Sequence, residues 1–188
     1  RRFFLMIQLM DTEDPYFVHP WTGESWGRED PINPAQIEKF RQLYAGELQY
    51  LDEAFGDFLD QLKASGRYDH SLIILTADHG TEFWEHGGLW NGKTLYEDQI
   101  HIPLLIKLPN NDLAGIRVPW QVRQIDIAPT IMDWLNLESG IDWQGVNLLG
   151  DDFENQLAYG SPPGTDPLAN QSFIRIPWGQ HPASRDAL

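Results

Sequence analysis

The sequence predicts an α/β fold in which a mostly parallel sheet carries helices on both faces, and three observations predict it. Leu72-Ile73-Ile74-Leu75 and the run Ile102 to Leu108 are short and almost continuously apolar, as strands covered on both faces must be. Phe3 to Met10 is a third run of the same kind. Between the first and second of these in chain order, apolar residues recur every three or four positions for seven turns, the period of a helix lying on a sheet. Helix followed by strand is half of a crossover unit, right-handed if Phe3 to Met10 lies in the same sheet.

Each element has its own justification. The Phe3 to Met10 strand empties into the polar stretch Asp11-Thr12-Glu13-Asp14-Pro15-Tyr16, which places acidic groups at a strand end. Residues 17–33 are aromatic and glycine-bearing without a period, an ordered loop in which His19, Trp21 and Trp26 read as packing groups. Asn33 can cap the long helix, Pro34 suits its first position and Gln36 completes a capping-box spacing. The stripe Ile37, Phe40, Tyr44, Leu48, Leu51, Phe55, Phe58 and Leu62 faces the sheet, while Glu38, Glu47, Asp52, Asp57 and Asp60 read as a solvated face and Gly66 stops the helix. Pro103 in the Ile102 strand suggests an edge or a bulge. Asn110 to Gly115 is a turn, and Val118 to Val122 a short extended piece. Asp126 caps a further helix with Pro129 in its first turn and Ile127, Ile131, Trp134 and Leu135 toward the core. Beyond Asp151 the chain is rich in Pro, Gly and Ser, with weak strand candidates at 157–159 and 173–176 and a poorly ordered tail around His181. The organisation expected is one domain part over 1–150 and an irregular segment over 151–188.

The Leu72 strand runs into Asp78-His79-Gly80, and in open parallel sheets the functional groups sit beyond the carboxyl ends of the strands. Neighbouring side chains on a continuing strand point to opposite sides, so Asp78 and His79 can serve one ion only if the chain turns there. Gly80 permits the turn. An imidazole ligand shifts the expectation from calcium toward manganese or zinc, because calcium prefers all-oxygen shells. From the tripeptide alone, an ordinary strand-to-loop turn with Asp as turn former is the commoner outcome. Asp11, Glu13 and Asp14 are likewise either a solvated acidic loop or part of a site.

Composition bounds the function classes. Twenty-eight acidic against 13 basic residues give a net charge of −15, which repels nucleic acid and argues against a polyanion-binding surface. With no cysteine in 188 residues, disulfides, thiolate metal sites and a cysteine nucleophile are excluded from this chain. No apolar run approaches the roughly 20 residues of a membrane span, and no signal peptide is visible.

Asp78-His79-Gly80, Glu85-His86-Gly87-Gly88, Gly92-Lys93-Thr94-Leu95-Tyr96-Glu97 and Ile102-Pro103-Leu104-Leu105-Ile106 follow one another in order. Together they resemble the C-terminal part of the catalytic domain of the sulfatase family, within the alkaline phosphatase superfamily of metal-dependent hydrolases. The resemblance covers residues 1–150 and implies an incomplete alkaline-phosphatase-like α/β fold. It implies a sulfuric ester hydrolase that binds one divalent ion (Ca, Mn or Zn) partly through Asp78 and His79. Lys93 is then the cation that neutralises charge on the leaving or sulfonyl oxygens. Glu82, Glu85 and His86 could extend the metal shell or orient it, and His86 joins Glu13 and Asn91 on the substrate side. The substrate implied is a small-molecule or glycan sulfate ester, and the location implied is periplasmic or secreted.

Two departures bear on mechanism. Where the family has Asp-Pro-His-x-Pro-Tyr, with a His that holds the substrate's charged group, this chain has Glu13. A carboxylate facing a sulfate is repulsive unless a cation lies between them. Where the closest subgroup carries Trp-His-Gly, this chain has Trp90-Asn91-Gly92, and an amide cannot act as a general acid. Thr81 also stands where the family often has Glu. Either the substrate differs or the activity is reduced. The family's nucleophile, in a Cys/Ser-x-Pro-x-Arg context, is expected upstream of this segment, so the segment alone is expected to be inactive. The alternatives are hydrolysis of a phosphate or phosphonate ester or transfer of a phospho-headgroup on the same fold, and a binding module that has lost the chemistry.

Overall fold

The structure is a computed structural model, and it describes residues 3–27, 33–150 and 153. The expected strands at 157–159 and 173–176, and the tail around His181, lie outside the described residues. The chain divides into two compact units, Arg1–Asn91 with His101–Ala114 and Gly92–Ile100 with Gly115–Leu188.

The first unit is built on α1 (Ile37–Ala64) and three strand pairs: β1 (Tyr16–Phe17) with β2 (Ser25–Trp26), β3 (Ile73–Thr76) with β6 (Leu104–Lys107), and β4 (Glu82–Phe83) with β5 (Leu89–Trp90). Asn33 starts the helical stretch, its Oδ1 accepting from Ala35 N at 3.0 Å across a 3-10 turn, Pro34–Gln36, that runs into α1. The Gln36 side chain makes no capping bond, so the expected capping box is absent and Asn33 caps the stretch by itself. At the other end Gly66 takes φ +68°, and Arg67 N donates to Leu62 O at 3.0 Å while Gly66 N donates to Lys63 O at 2.9 Å. That pair of bonds satisfies carbonyls the helix leaves open, and it needs the left-handed conformation glycine adopts at no steric cost.

The core of this unit is aromatic. Tyr16, Phe40, Phe83, Leu89 and Trp90 are buried together, with Trp26, Ile37, Leu43 and Tyr44 packed against them. Tyr16 meets Tyr44 edge-on at 5.8 Å and Trp90 at 5.5 Å, and Phe40 meets Trp90 at 5.1 Å, separations at which offset rings attract beyond simple burial. Each buried ring contributes roughly 1.5–3 kcal/mol, so these few residues fasten α1, β1 and the β4–β5 hairpin to one another. The stripe on α1 departs from the expected one at its centre, where Leu48 is exposed and Glu47 is fully buried.

All three strand pairs among the described residues are antiparallel, where the sequence led us to expect mostly parallel neighbours. The reason is the path between β3 and β6. The chain leaves β3 at Thr76 and comes back into the sheet at Leu104, which pairs with that same Thr76, so β6 runs backward along β3. An excursion that starts and finishes at one rim needs no crossover. Pro103 precedes β6 instead of interrupting it, and its carbonyl accepts from Thr76 Oγ1 at 2.9 Å, tying the ends of the excursion together. Phe3 to Met10 is the clearest correction. It has no regular structure and its side chains are exposed, because no described strand offers it a ladder.

The second unit holds α2 (Glu97–Ile100) and α3 (Ile127–Trp134), the latter entered through a 3-10 turn, Gln124–Asp126. Asp126 is fully buried and does more than cap. Its Oδ1 accepts from Arg123 Nη2 at 2.7 Å and Val146 N at 3.0 Å, and its Oδ2 from Arg123 N at 2.8 Å. Thr130 Oγ1 accepts from Leu148 N at 2.9 Å and donates to Asp126 O at 2.6 Å, so the 146–148 segment is laid along α3. Gly145 permits this approach, since a Cβ there would lie 1.9 Å from Ile125 O. Trp134 and Leu135, expected in the core, are exposed, and the buried positions of α3 are Pro129 and Thr130. No helix among the described residues is long and apolar enough to cross a membrane.

Candidate functional site

The rim where the excursion leaves β3 gathers four of the residues singled out by sequence. Asp78 Oδ1 accepts from the N–H of the next residue, His79, at 3.0 Å and lies 3.8 Å from His79 Nε2, so the two side chains are on one side of the turn. His79 Nδ1 lies 3.0 Å from Gly80 O. A carbonyl oxygen only accepts, so Nδ1 carries the hydrogen and Nε2 is the free face of the ring. Nε2 is 3.3 Å from Glu13 Oε1 and 3.8 Å from Asp78 Oδ1. Asn91 Nδ2 donates to Glu13 Oε2 at 3.5 Å. The two departures from the family pattern, Glu13 and Asn91, are therefore neighbours.

The aromatic core positions these groups. Tyr16, three residues past Glu13, is buried, and its hydroxyl shares a hydrogen bond with the Thr81 side chain, which ties the acidic loop to the loop after Gly80. Burial raises the Tyr16 phenol far above its ordinary value, and it raises Tyr44 too, with the charge of Glu13 adding to both. Trp90 delivers Asn91 from a left-handed backbone, φ +76°, that packing against Tyr16 and Phe40 holds in place.

The remaining candidates lie on the β4–β5 hairpin and just after it. Glu82 is buried, and its Oε1 accepts from His86 N at 2.9 Å and Gly88 N at 2.8 Å, closing the turn between β4 and β5. His86 sits on that turn with its side chain exposed. Glu85 Oε2 accepts from Phe83 N at 2.5 Å and its Oε1 from Arg41 Nη2 at 2.6 Å, which pins the hairpin to α1. Lys93 belongs to the second unit. It is exposed, and its backbone N–H donates to Gln99 Oε1 at 3.4 Å while Gln99 Nε2 donates to Thr94 Oγ1 at 2.7 Å.

Sequence reasoning missed one buried carboxylate and its imidazole partner. Glu47, assigned to the solvated face, is buried on α1, accepts from Phe17 N, and lies 2.6 Å from His19 Nε2. His19 in turn stacks on Tyr50 at 4.1 Å. The signal was in the spacing: position 47 falls three residues after Tyr44 and seven after Phe40, on the apolar stripe itself.

The rim brings an imidazole nitrogen near carboxylate oxygens, donor types that can hold a divalent ion. The Sulfatase family model matches residues 1–137. The chain belongs to the sulfatase family. Members of this family typically bind a divalent metal ion. This sulfatase chain is 33% identical over 120 residues to the multifunctional alkaline phosphatase superfamily protein PehA of Trinickia caryophylli, covering 63% of the chain and 23% of that protein. It is 31% identical over 114 residues to an N-acetylglucosamine-6-O-sulfatase of Bacteroides thetaiotaomicron, covering 60% of the chain and 20% of that enzyme. Among solved structures, the phosphonate monoester hydrolase of Agrobacterium radiobacter superposes with a TM-score of 0.63 at 26% identity, over 71% of this chain and 28% of that one. The sulfatase chain thus spans about a quarter of the length of the relatives it matches, and its α/β architecture is that of alkaline-phosphatase-like hydrolases.

Proposed function

We propose that the protein hydrolyses a sulfuric ester, with Asp78 and His79 contributing to the hold on one divalent cation and Lys93 steadying the leaving side of the ester. The observation that carries this reading is the rim itself, where Asp78 Oδ1 and His79 Nε2 lie 3.8 Å apart after the turn at 78–80. The family and the named sulfatases among its relatives support the same reaction class. Of the metals expected, Mn or Zn suits these donors best.

When bound, such a cation supplies positive charge against the ester oxygens and favours the ionised nucleophile. Asp78 and His79 would hold such an ion with side chains that the contacts Asp78 Oδ1 to His79 N and His79 Nδ1 to Gly80 O already restrict. The ammonium of Lys93 supplies a charge complementary to that developing on the departing oxygen. Asn91 can donate a hydrogen bond and cannot release a proton, so the leaving group takes its proton from elsewhere or leaves as a stable anion. Aryl sulfates, whose leaving groups are weak bases, are the substrates this arrangement suits.

The test is hydrolysis by the full-length protein of 4-nitrophenyl sulfate beside 4-nitrophenyl phosphate and a phenylphosphonate monoester. The sulfate should give the highest kcat/KM, and Lys93→Ala should lower it by roughly 10²–10³-fold, as loss of one charge-stabilising donor does elsewhere. Preference for the phosphonate would favour the second reading, to which the phosphonate monoester hydrolase neighbour lends support. No turnover of any ester, with binding retained, would leave a ligand-binding role.

A further inference from the structure

We infer that Thr81 is a positioning residue of the rim: through the hydrogen bond between its hydroxyl and that of Tyr16 it sets where Asp78 and His79 stand, and the rate of ester hydrolysis depends on that bond. The inference rests on the proposed function, since it concerns the two residues that carry that reading.

Three observations carry it. The first is how the segment is suspended. Asp78, His79 and Gly80 lie between β3, which ends at Thr76, and β4, which begins at Glu82. The contacts inside the segment, His79 N to Asp78 Oδ1 and His79 Nδ1 to Gly80 O, are local and fix its shape. Each end is tied to another part of the chain. Upstream, Thr76 Oγ1 donates to Pro103 O at 2.9 Å, and downstream the Thr81 side chain shares a hydrogen bond with the Tyr16 hydroxyl. Residues 77–80 therefore span the gap between two threonine hydroxyls that reach outward.

The second observation is that the downstream tie leads to a fixed point. Tyr16 is 1% exposed and packs against the rings of Tyr44, Phe83 and Trp90, with centroids 5.8, 6.4 and 5.5 Å away. A close-packed ring presents its hydroxyl in one place, and the Thr81 hydroxyl is held there with it. β4 is held separately, because Arg41 Nη2 on α1 donates to Phe83 O at 2.8 Å. Loss of the Thr81 bond thus loosens the segment before the hairpin and leaves the hairpin on α1. The third observation is the dryness of the bond. Burial raises the Tyr16 phenol above its ordinary value and keeps it a neutral hydroxyl, and so little of the residue is exposed that water cannot stand in for a lost partner. Asp78 and His79 lie three and two residues before Thr81, and a shift of about 1 Å in a reacting group can cost about 10²-fold in rate.

The experiment compares the full-length wild-type protein with Thr81→Val, Thr81→Ser and Tyr16→Phe. It measures kcat and KM for 4-nitrophenyl sulfate, or for the phosphate or phosphonate ester if the wild type turns that one over faster, with circular dichroism and a urea midpoint for each variant. Thr81→Val keeps the side-chain shape and removes the hydroxyl, Thr81→Ser keeps the hydroxyl, and Tyr16→Phe removes the other half of the bond. Thr81→Val and Tyr16→Phe should each lower kcat by about 10-fold or more with KM within about 2-fold of wild type, because misplaced reacting groups weaken the transition state more than substrate binding. Thr81→Ser should keep kcat within about 3-fold of wild type, and combining Thr81→Val with Tyr16→Phe should slow the enzyme no further, since both remove one interaction. Wild-type kcat in Thr81→Val and Tyr16→Phe, whatever their urea midpoints, would make the bond purely structural and overturn the inference while the hydrolase reading stands. A Thr81→Ser as slow as Thr81→Val would overturn it as well. No turnover of any of the three esters by the wild type would remove the hydrolase reading and this inference with it. Should Thr81→Val or Tyr16→Phe fail to fold, the other deletes the same bond and decides the matter.

Discussion

At the scale of the residue, what could be read in advance was which polar groups follow the end of an apolar strand, and what could not was which carboxylates serve structure. Asp78 and His79 stand out because an apolar strand ends beside a glycine, and end-of-strand placement follows from the strand's own period. Glu47, Glu82 and Asp126 are all buried and all hydrogen-bonded to backbone N–H groups, yet in sequence each looks like any surface acid. Burial of a charge depends on which donors the fold brings to it, and those donors come from residues distant in the chain. The same burial perturbs two phenols. Tyr16 and Tyr44 are raised chiefly by desolvation above the ordinary value near 10, so in the folded state both stay protonated at pH values where the unfolded chain has begun to ionise. The folded state then binds more protons than the unfolded one, and stability must fall as pH rises past about 10, while it is unaffected below that. We expect the melting temperature to drop steeply between about pH 9.5 and 11.5, and Tyr16→Phe to flatten that drop. A Tyr16→Phe profile parallel to wild type would show that this phenol is not the group responsible.

At the scale of the element, the long helix was legible from Asn33 through Gly66 because its caps and period are local properties. The direction of β6 was not, because two apolar runs pair equally well either way and only the path of the chain between them decides. The β1 loop shows how an element can depend on one side chain of another. Phe17 N and His19 both reach from that loop to the buried carboxylate of Glu47 on α1. Glu47→Ala removes an acceptor and strands a backbone N–H, a loss of about 1–3 kcal/mol. His19→Ala should cost less, because the His19 side chain is 22% exposed and water can replace it on one side. Urea denaturation of the two variants gives the comparison. Equal losses, or a Glu47→Ala effect within about 0.5 kcal/mol of wild type, would mean the loop is held by its aromatic contacts instead.

At the scale of the molecule two opposing surface properties meet. Phe3, Phe4, Leu5, Met6, Ile7 and Met10 are each more than half exposed, with Leu9 close behind, and an apolar run of that size is what drives association in water. Against it stands a net charge of −15, which makes copies of the chain repel one another. The apolar attraction acts at contact and is insensitive to moderate salt, whereas the repulsion reaches about 10 Å at 0.1 M ionic strength and about 3 Å at 1 M. Salt should therefore release the attraction. The 188-residue chain produced by itself is expected to be largely monomeric at low ionic strength and to associate progressively as NaCl rises toward about 0.5 M, measured by light scattering on a sizing column. Phe4→Lys with Met6→Lys interrupts the apolar run at its two most exposed positions while making the net charge less negative by 2. If charge repulsion alone governed assembly, that variant would associate more readily than wild type. If the apolar run is the sticky element it will associate less, and the opposite signs make the experiment decisive.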